Sequence, residues 1–269
     1  MTIDKSLFWT LSSKSKTLDN ESVHQLRKGT KQLRAHLHLI RQLQGHQKET
    51  EHLRQSVKKL ARMLAGQRDA DVMYALLQEL INQTTDAELT PLMVELQHVL
   101  NSERLPQIDI RQVHKMARDI DRSTDKLLTH EPEGNEINQL LEVCLENLCE
   151  EGQDLLYNAA ANWNDLHNWR KQVKKLTYQY KLKKNPDPVD LVIIEKLDQL
   201  GDSLGKINDL NILDNFVRRQ QYLNTRAQIL HTFTQLLGLL DEHKYLLLAQ
   251  TQQLFAELTA LPDQLSLDS

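Results

Sequence analysis

Long stretches of this chain contain neither glycine nor proline, and they are rich in Leu, Gln, Lys and Glu. A backbone without those two breakers, carrying side chains that lose little rotamer freedom in a helix, has few alternatives to helix. Only 8 glycines and 6 prolines interrupt 269 residues. The pattern predicts about ten helices and no strand. They cover 21–44, 47–65, 69–83, 86–102, 107–129, 135–158, 163–184, 189–204, 208–237 with a break allowed inside it, and 241–259. The clearest breaks are "NSERLPQID", "HEPEGNE" and "KKNPDPVD", each with Pro near a helix start. The length suits one large domain or two smaller ones, and "LTHEPEGNE" is the best seam between halves.

Charge is segregated along the chain. The formal net charge is −4, which argues against wholesale affinity for nucleic acid. Yet Ser22–Lys48 holds six Lys or Arg and no acid, and Leu166–Lys184 holds seven and no acid. On a helix that turns about 100° per residue, His24, Arg27, Lys28, Lys31, Arg34 and His38 fall within one arc of roughly 120°. Leu26, Leu33, Leu37 and Ile40 lie opposite. From His167, the residues Arg170, Lys171, Lys174, Lys175, Tyr178 and Lys181 share a face, with Trp169, Val173, Leu176 and Tyr180 opposite. Each helix has one face to bury and one cationic face. A solvated face ordinarily interleaves Glu with Lys, because like charges at i,i+3 or i,i+4 cost about 0.2–0.5 kcal/mol. Here Arg27–Lys31, Lys28–Lys31, Lys171–Lys174 and Lys171–Lys175 are all retained. A polyanion that relieves the repulsion accounts for them.

The two helices are copies. "VHQLRK" and "LHNWRK" match at an offset of 143, and "LAGQRDADVM" and "LGKINDLNIL" at an offset of 140. Landmarks in the same order with nearly equal displacement predict an internal duplication, giving two similar bundles related by a pseudo-twofold axis.

His-x-x-Arg-Lys opening a basic helix, followed about forty residues later by "RDADV" or "NDLNI", twice in one chain, resembles the conserved histidine α-helical domain (CHAD) family. The resemblance covers nearly the whole chain. It implies a single domain over 1–269, with a first helical half at 12–130 and a second at 131–269. The implied fold is all-α: two antiparallel helical bundles around a central basic channel. The implied ligand is inorganic polyphosphate, with no cofactor. The family's signature maps onto His24, Arg27, Lys28, Lys31 and Arg34, and again onto His167, Arg170, Lys171, Lys174 and Lys175, with Tyr178 near the helix middle. Lys58 and Arg62 stand where the family carries basic residues on the next helix. In the second half the position matching Arg62 is the acidic Asp202, so that correspondence stops there, with Lys196 as the substitute. Members are often fused to a triphosphate-tunnel hydrolase domain. This chain shows no alternating Glu-x-Glu-x-Lys strand, and no activity is carried over.

Polyphosphate offers only phosphate oxygens, which suit the Arg fork and the mobile Lys charge. A reader of single strands should also present aromatic platforms. Phe, Trp and Tyr make up 5% of this chain, which weighs against nucleic acid. No metal site is expected: Glu21–His24 and Glu49–His52 have helical metal-ligand spacing, but both glutamates lie at helix starts, where acids are common. Asp69 and Asp209 read as helix N-caps. Arg111, Lys115, Arg118 and Arg122 read as a solvated face, and the Leu-rich tail from Leu236 to Leu261 as bundle packing. Cys144 and Cys149 are five apart and diverge on a helix, which predicts no mutual disulfide and a cytoplasmic setting, with polyphosphate granules one place within it. No apolar run approaches a membrane span, and the first residues lack a signal-peptide core. The oligomeric state has no signature. The expected protein is therefore a binder and not an enzyme. The rivals are a phosphohydrolase acting on polyphosphate or a nucleotide, and a scaffold for an acidic protein.

Overall fold

Short polar side chains fix the helix starts. Asp86 accepts from the backbone N–H groups of Glu88 and Leu89, at 2.8 and 3.4 Å. Asp109 does the same for Arg111 and Gln112, at 3.0 and 3.2 Å, and Asn162 for Asn164 and Asp165, at 2.9 and 3.0 Å. At "DPVD" the cap is reciprocal: Asp187 accepts from the N–H of Asp190 (2.8 Å), and Asp190 accepts from that of Asp187 (2.9 Å). Pro188 sits in the first helical position, where its missing N–H costs nothing.

The structure is a computed structural model, and it describes residues 20–44, 47–64, 66–102, 109–127, 134–158, 162–183, 185–224 and 227–261. Among the described residues there are nine α-helices and no strand: α1 (Asn20–Gln44), α2 (Gln47–Met63), α3 (Gly66–Gln83), α4 (Leu89–Ser102), α5 (Ile110–Leu127), α6 (Gly134–Tyr157), α7 (Trp163–Tyr180), α8 (Pro188–Leu223) and α9 (Ala227–Thr259). The all-α expectation holds. Most of "LTHEPEGNE" lies outside the described residues.

Two expectations are corrected. The three elements expected at 189–204, 208–237 and 241–259 are two long helices, and the break between them falls at 224–226. Gly205 and Gly238 both lie inside helix, where a single glycine weakens the ladder by only about 1 kcal/mol. In consequence Asp209 sits well inside α8, and Asp69 lies within the first turn of α3, so neither is an N-cap.

The helices gather into two units by contact. The first draws on 1–65, 107–152 and 171–198, the second on 66–106, 153–170 and 199–269. Each takes residues from both sides of the 130/131 boundary expected from the repeat, so contact and sequence repeat divide the chain differently.

In the first unit α2 packs on α1 and on α5. Leu26, Leu33 and Leu37 interlock with Leu53, Val57, Leu60 and Leu64, and with Val113, Ala117 and Ile120. These are the apolar faces that periodicity predicts, and burying each Leu is worth about 1.5–3 kcal/mol. In the second unit α4 packs on α3 and α9. Its core joins Met93 and Leu96 to Leu213 and Val217 of α8 and Leu236 and Leu240 of α9. The Leu-rich tail thus serves bundle packing. Trp169 is fully buried, its ring edge-on to Phe255 at 5.7 Å. Lys244 is also buried, and it is compensated as a buried charge must be. It pairs with Asp214 (3.3 Å) and Asp241 (2.7 Å) beneath the Trp163 ring.

Candidate basic site

Apolar spacing commits Leu26, Leu33, Leu37 and Ile40 of α1 to the core, and this leaves the cationic arc on the other side. His24, Lys28 and Arg34 are exposed, while Arg27 and Lys31 are partly buried. Arg27 has a structural contact as well: its Nη1 donates to the carbonyl of Leu64 at 2.5 Å. That carbonyl closes α2, so the guanidinium caps the negative end of the neighbouring helix.

Register follows from one contact and one longer-range effect of charge. Arg27 meets residue 64, and the charge of Arg54 is felt by His38. The helices α1 and α2 therefore run antiparallel, with Arg34 about level with Lys58. Arg54, Lys58 and Arg62 recur at i,i+4 and form a second cationic stripe. Lys58 and Arg62 are exposed, and Arg54 pairs with Glu51 at 3.1 Å.

A third helix joins these two. Gln179 of α7, itself buried, donates through Nε2 to the carbonyl of Ala35 at 3.2 Å. Four residues earlier, Lys175 lies near enough to His38 to influence its charge. Burial lowers the His38 pKa first, and the Lys175 ammonium lowers it further. A hydrogen bond with Gln42 opposes this, and Arg41 and Arg54 add to the lowering. A half-buried imidazole among three cations is a locus of concentrated positive potential.

The cationic face of α7 is split. Lys175 acts through its charge on His38 of α1 and on Cys144 of α6, but Lys174 lies about 100° around the helix from it and reaches α8. Its Nζ donates to the Asp198 carboxylate at 3.3 Å and to the Asp198 carbonyl at 3.4 Å. Lys181 pairs with the other oxygen of the same carboxylate. Burial alone would raise the Asp198 pKa, but Lys181 and then Lys174 outweigh it and hold the carboxyl below its ordinary range. Lys183 is tied to Asp190 at 2.5 Å, and Gln172 donates to Glu151 at 2.6 Å.

All of the residues singled out by sequence lie in the first unit except His167 and Arg170, which belong to the second. His167 is half-buried. Arg170 lies over Gly205: a Cβ there would sit 3.1 Å from Nη2 and 3.3 Å from Nε. That close approach explains the glycine inside α8, where sequence suggested a break. Lys171 is exposed, and Tyr178 is half-buried.

Sequence reasoning did not list His38, Arg41 and Arg54 among the site residues, although the i,i+4 spacing of Arg54, Lys58 and Arg62 was a usable signal. It also missed Asp198, seventeen residues beyond Lys181 on another helix. The cationic stretches are acid-free in sequence, not in space.

The chemistry available is that of ammonium, guanidinium and imidazole groups, which suit oxyanions. Cys144 and Cys149 are free. Burial raises both thiols, Cys149 to about 11, so neither is a ready nucleophile at neutral pH. Among the described residues, no group of three or more His, Cys, Asp or Glu is placed to hold a metal ion. No helix there is long and apolar enough to cross a membrane.

Comparison with known proteins adds an independent line. A family model described as CHAD domain matches residues 11–218, well over half of the chain. Among solved structures, the chain is similar to the crystal structure of the CHAD domain from the plant Ricinus communis, with a TM-score of 0.69. The match has 17% identity and covers 95% of this chain and 88% of that one. At such identity the likeness speaks for the fold alone. No curated protein matches the chain.

Proposed function

The chain belongs to the CHAD domain family, and from that premise we propose that it binds inorganic polyphosphate without a cofactor and without turning it over. The observation that carries this reading is the meeting of three basic helices in one unit. Lys175 of α7 and Arg54 of α2 converge electrostatically on His38 of α1, and Lys28, Arg34, Lys58 and Arg62 are exposed on α1 and α2. In this reading the basic groove or channel runs along these helices, and successive phosphates replace one another's contacts with little need for a unique register. A cytoplasmic location, including polyphosphate granules, goes with it.

The internal duplication is part of the proposal, and one pair of contacts supports it. Arg27 and Arg170 are equivalent at the 143-residue offset. Arg27 meets Leu64, and Arg170 meets Gly205, 141 residues further on. Matching arginines thus reach matching places on the next helix, where α2 ends but α8 continues.

The test is a calorimetric titration with polyphosphates of several lengths, with single-stranded DNA as the control. Long chains should bind tightly and orthophosphate weakly. Affinity should fall by orders of magnitude from low to moderate salt, because each neutralised phosphate releases counterions. A flat salt response, or equal affinity for the DNA, would sink the reading. Orthophosphate released on incubation with Mg²⁺ would replace the binder by the hydrolase. An acidic protein that competes for the same face would favour the scaffold.

A further inference from the structure

The two halves of the repeat differ in sign at one place. The 140-residue offset carries Lys58 of α2 onto Asp198 of α8, and Arg62 onto Asp202. Where the first half has cations beside a basic helix, the second has acids. Asp198 is the acid whose geometry matters. One carboxylate oxygen takes Lys174 at 3.3 Å, and the other takes Lys181. Two ammonium groups seven residues apart, about two helical turns along the cationic face, are thus held on a single carboxylate. A carboxylate that bridges two lysines presents oxygens much as a phosphate would.

We propose that Asp198 is an internal competitor for the polyanion: it occupies Lys174 and Lys181 in the empty protein, and a phosphate chain gains these two lysines only by displacing it. The inference rests on polyphosphate as the ligand and names the residue that limits affinity for it. The pairs are partly exposed, with side-chain accessibilities of 19% for Lys174, 39% for Lys181 and 37% for Asp198. They are therefore open to exchange, because ion pairs in reach of water are individually weak. A single phosphate or a very short chain gains little by breaking them. A long chain already held by α1 and α2 brings its next phosphates to the lysines at high effective concentration. Asp198 thereby biases the protein toward long chains, and it keeps the α7 lysines from collecting stray small anions.

The experiment titrates the full chain and Asp198→Asn with long polyphosphate and with tripolyphosphate at several salt concentrations. Asparagine keeps the shape and removes the charge. Asp198→Ser repeats the test in case asparagine misfolds, with helical circular dichroism as the check. Asp202→Asn adds the same charge on the same helix and controls for net charge. The expected result is roughly three- to tenfold tighter binding of the long chain by Asp198→Asn. Its salt slope should steepen by about 0.7 for each lysine released. The proportional gain should be larger for tripolyphosphate, so discrimination by length shrinks. Unchanged or weaker binding in a folded variant would overturn the competitor role, the latter showing that Asp198 positions the lysines for the ligand. An equal gain in Asp202→Asn would reduce the effect to net charge and also overturn it. If the unaltered chain binds no polyphosphate, the functional reading falls and takes this inference with it. If that chain binds but Asp198→Asn gains nothing, the inference alone falls.

Discussion

Helices α1 and α7 carry the same motif and are put to different uses. Arg34 of α1 is exposed, whereas its counterpart at the 143-residue offset is Thr177, fully buried and bonded to the Val173 carbonyl at 2.8 Å. Arg27 caps the end of α2, whereas Arg170 lies over Gly205 in the middle of α8. Lys174 has an acid from the next helix, whereas the position matching that acid beside α1 is Lys58. The buried polar position differs too: His36 on α1 is matched by Gln179 on α7, and both are 1% exposed. A motif repeated in sequence is therefore not an environment repeated in the fold. What surrounds each motif decides how much of its charge is left exposed.

The sharpest break between the copies should come from acid. Both ring nitrogens of His36 are buried without a hydrogen-bond partner, and burial lowers its pKa from 6.5 to about 4. The unfolded chain takes up this proton near the ordinary value and the folded chain does not. His36 therefore contributes full stability above about pH 6.5 and loses it as pH falls toward 4. The loss approaches roughly 3 kcal/mol at a cost of 1.36 kcal/mol per pKa unit. His36→Gln, which installs on α1 the residue that α7 already has, should flatten the profile over that window. Chemical denaturation at a series of pH values measures it. An identical fall in both proteins would mean that the buried faces of the two copies do not differ in this way.

Binding provides the next comparison. Lys31→Gln with Arg34→Gln should weaken long-chain polyphosphate by roughly a hundredfold, since each removes a charge-assisted contact worth about 1.5 kcal/mol or more. Lys174→Gln with Lys181→Gln should cost less than about threefold, because those lysines must first leave Asp198. Calorimetry on the two double variants reads both numbers. Equal losses would show that Asp198 shields nothing and that α7 is as available as α1.

Much of this was legible in the chain, and the remainder fails for identifiable reasons. Periodicity placed Leu26, Leu33 and Leu37 in a core and buried Trp169 on the apolar face of α7, because burial obeys the helical repeat directly. Pro188 marked a helix start because its ring fixes the backbone there. Ion pairing was not legible. Lys174 and Asp198 sit 24 residues apart on different helices, and only the fold brings them within 3.3 Å. Glycine misled for the opposite reason: the backbone tolerates it inside α8, and the neighbour that needs the space is a side chain from another helix.

That glycine has a consequence for anyone who wants a more robust version of the protein. Replacing helical glycines with alanine is a routine stabilising step, worth about 0.4–1 kcal/mol where the new methyl group fits. By propensity, α8 and α9 offer equal targets in Gly205 and Gly238. At Gly238 nothing lies within 4 Å of a would-be Cβ, so Gly238→Ala should raise the melting temperature by a few degrees and leave its neighbours undisturbed. At Gly205 the methyl group would press on Arg170, and whatever the helix gains must be set against a displaced guanidinium. A screen that scores thermal stability alone would accept both changes if Arg170 can shift. Only the first preserves the arrangement of the basic helix beside it.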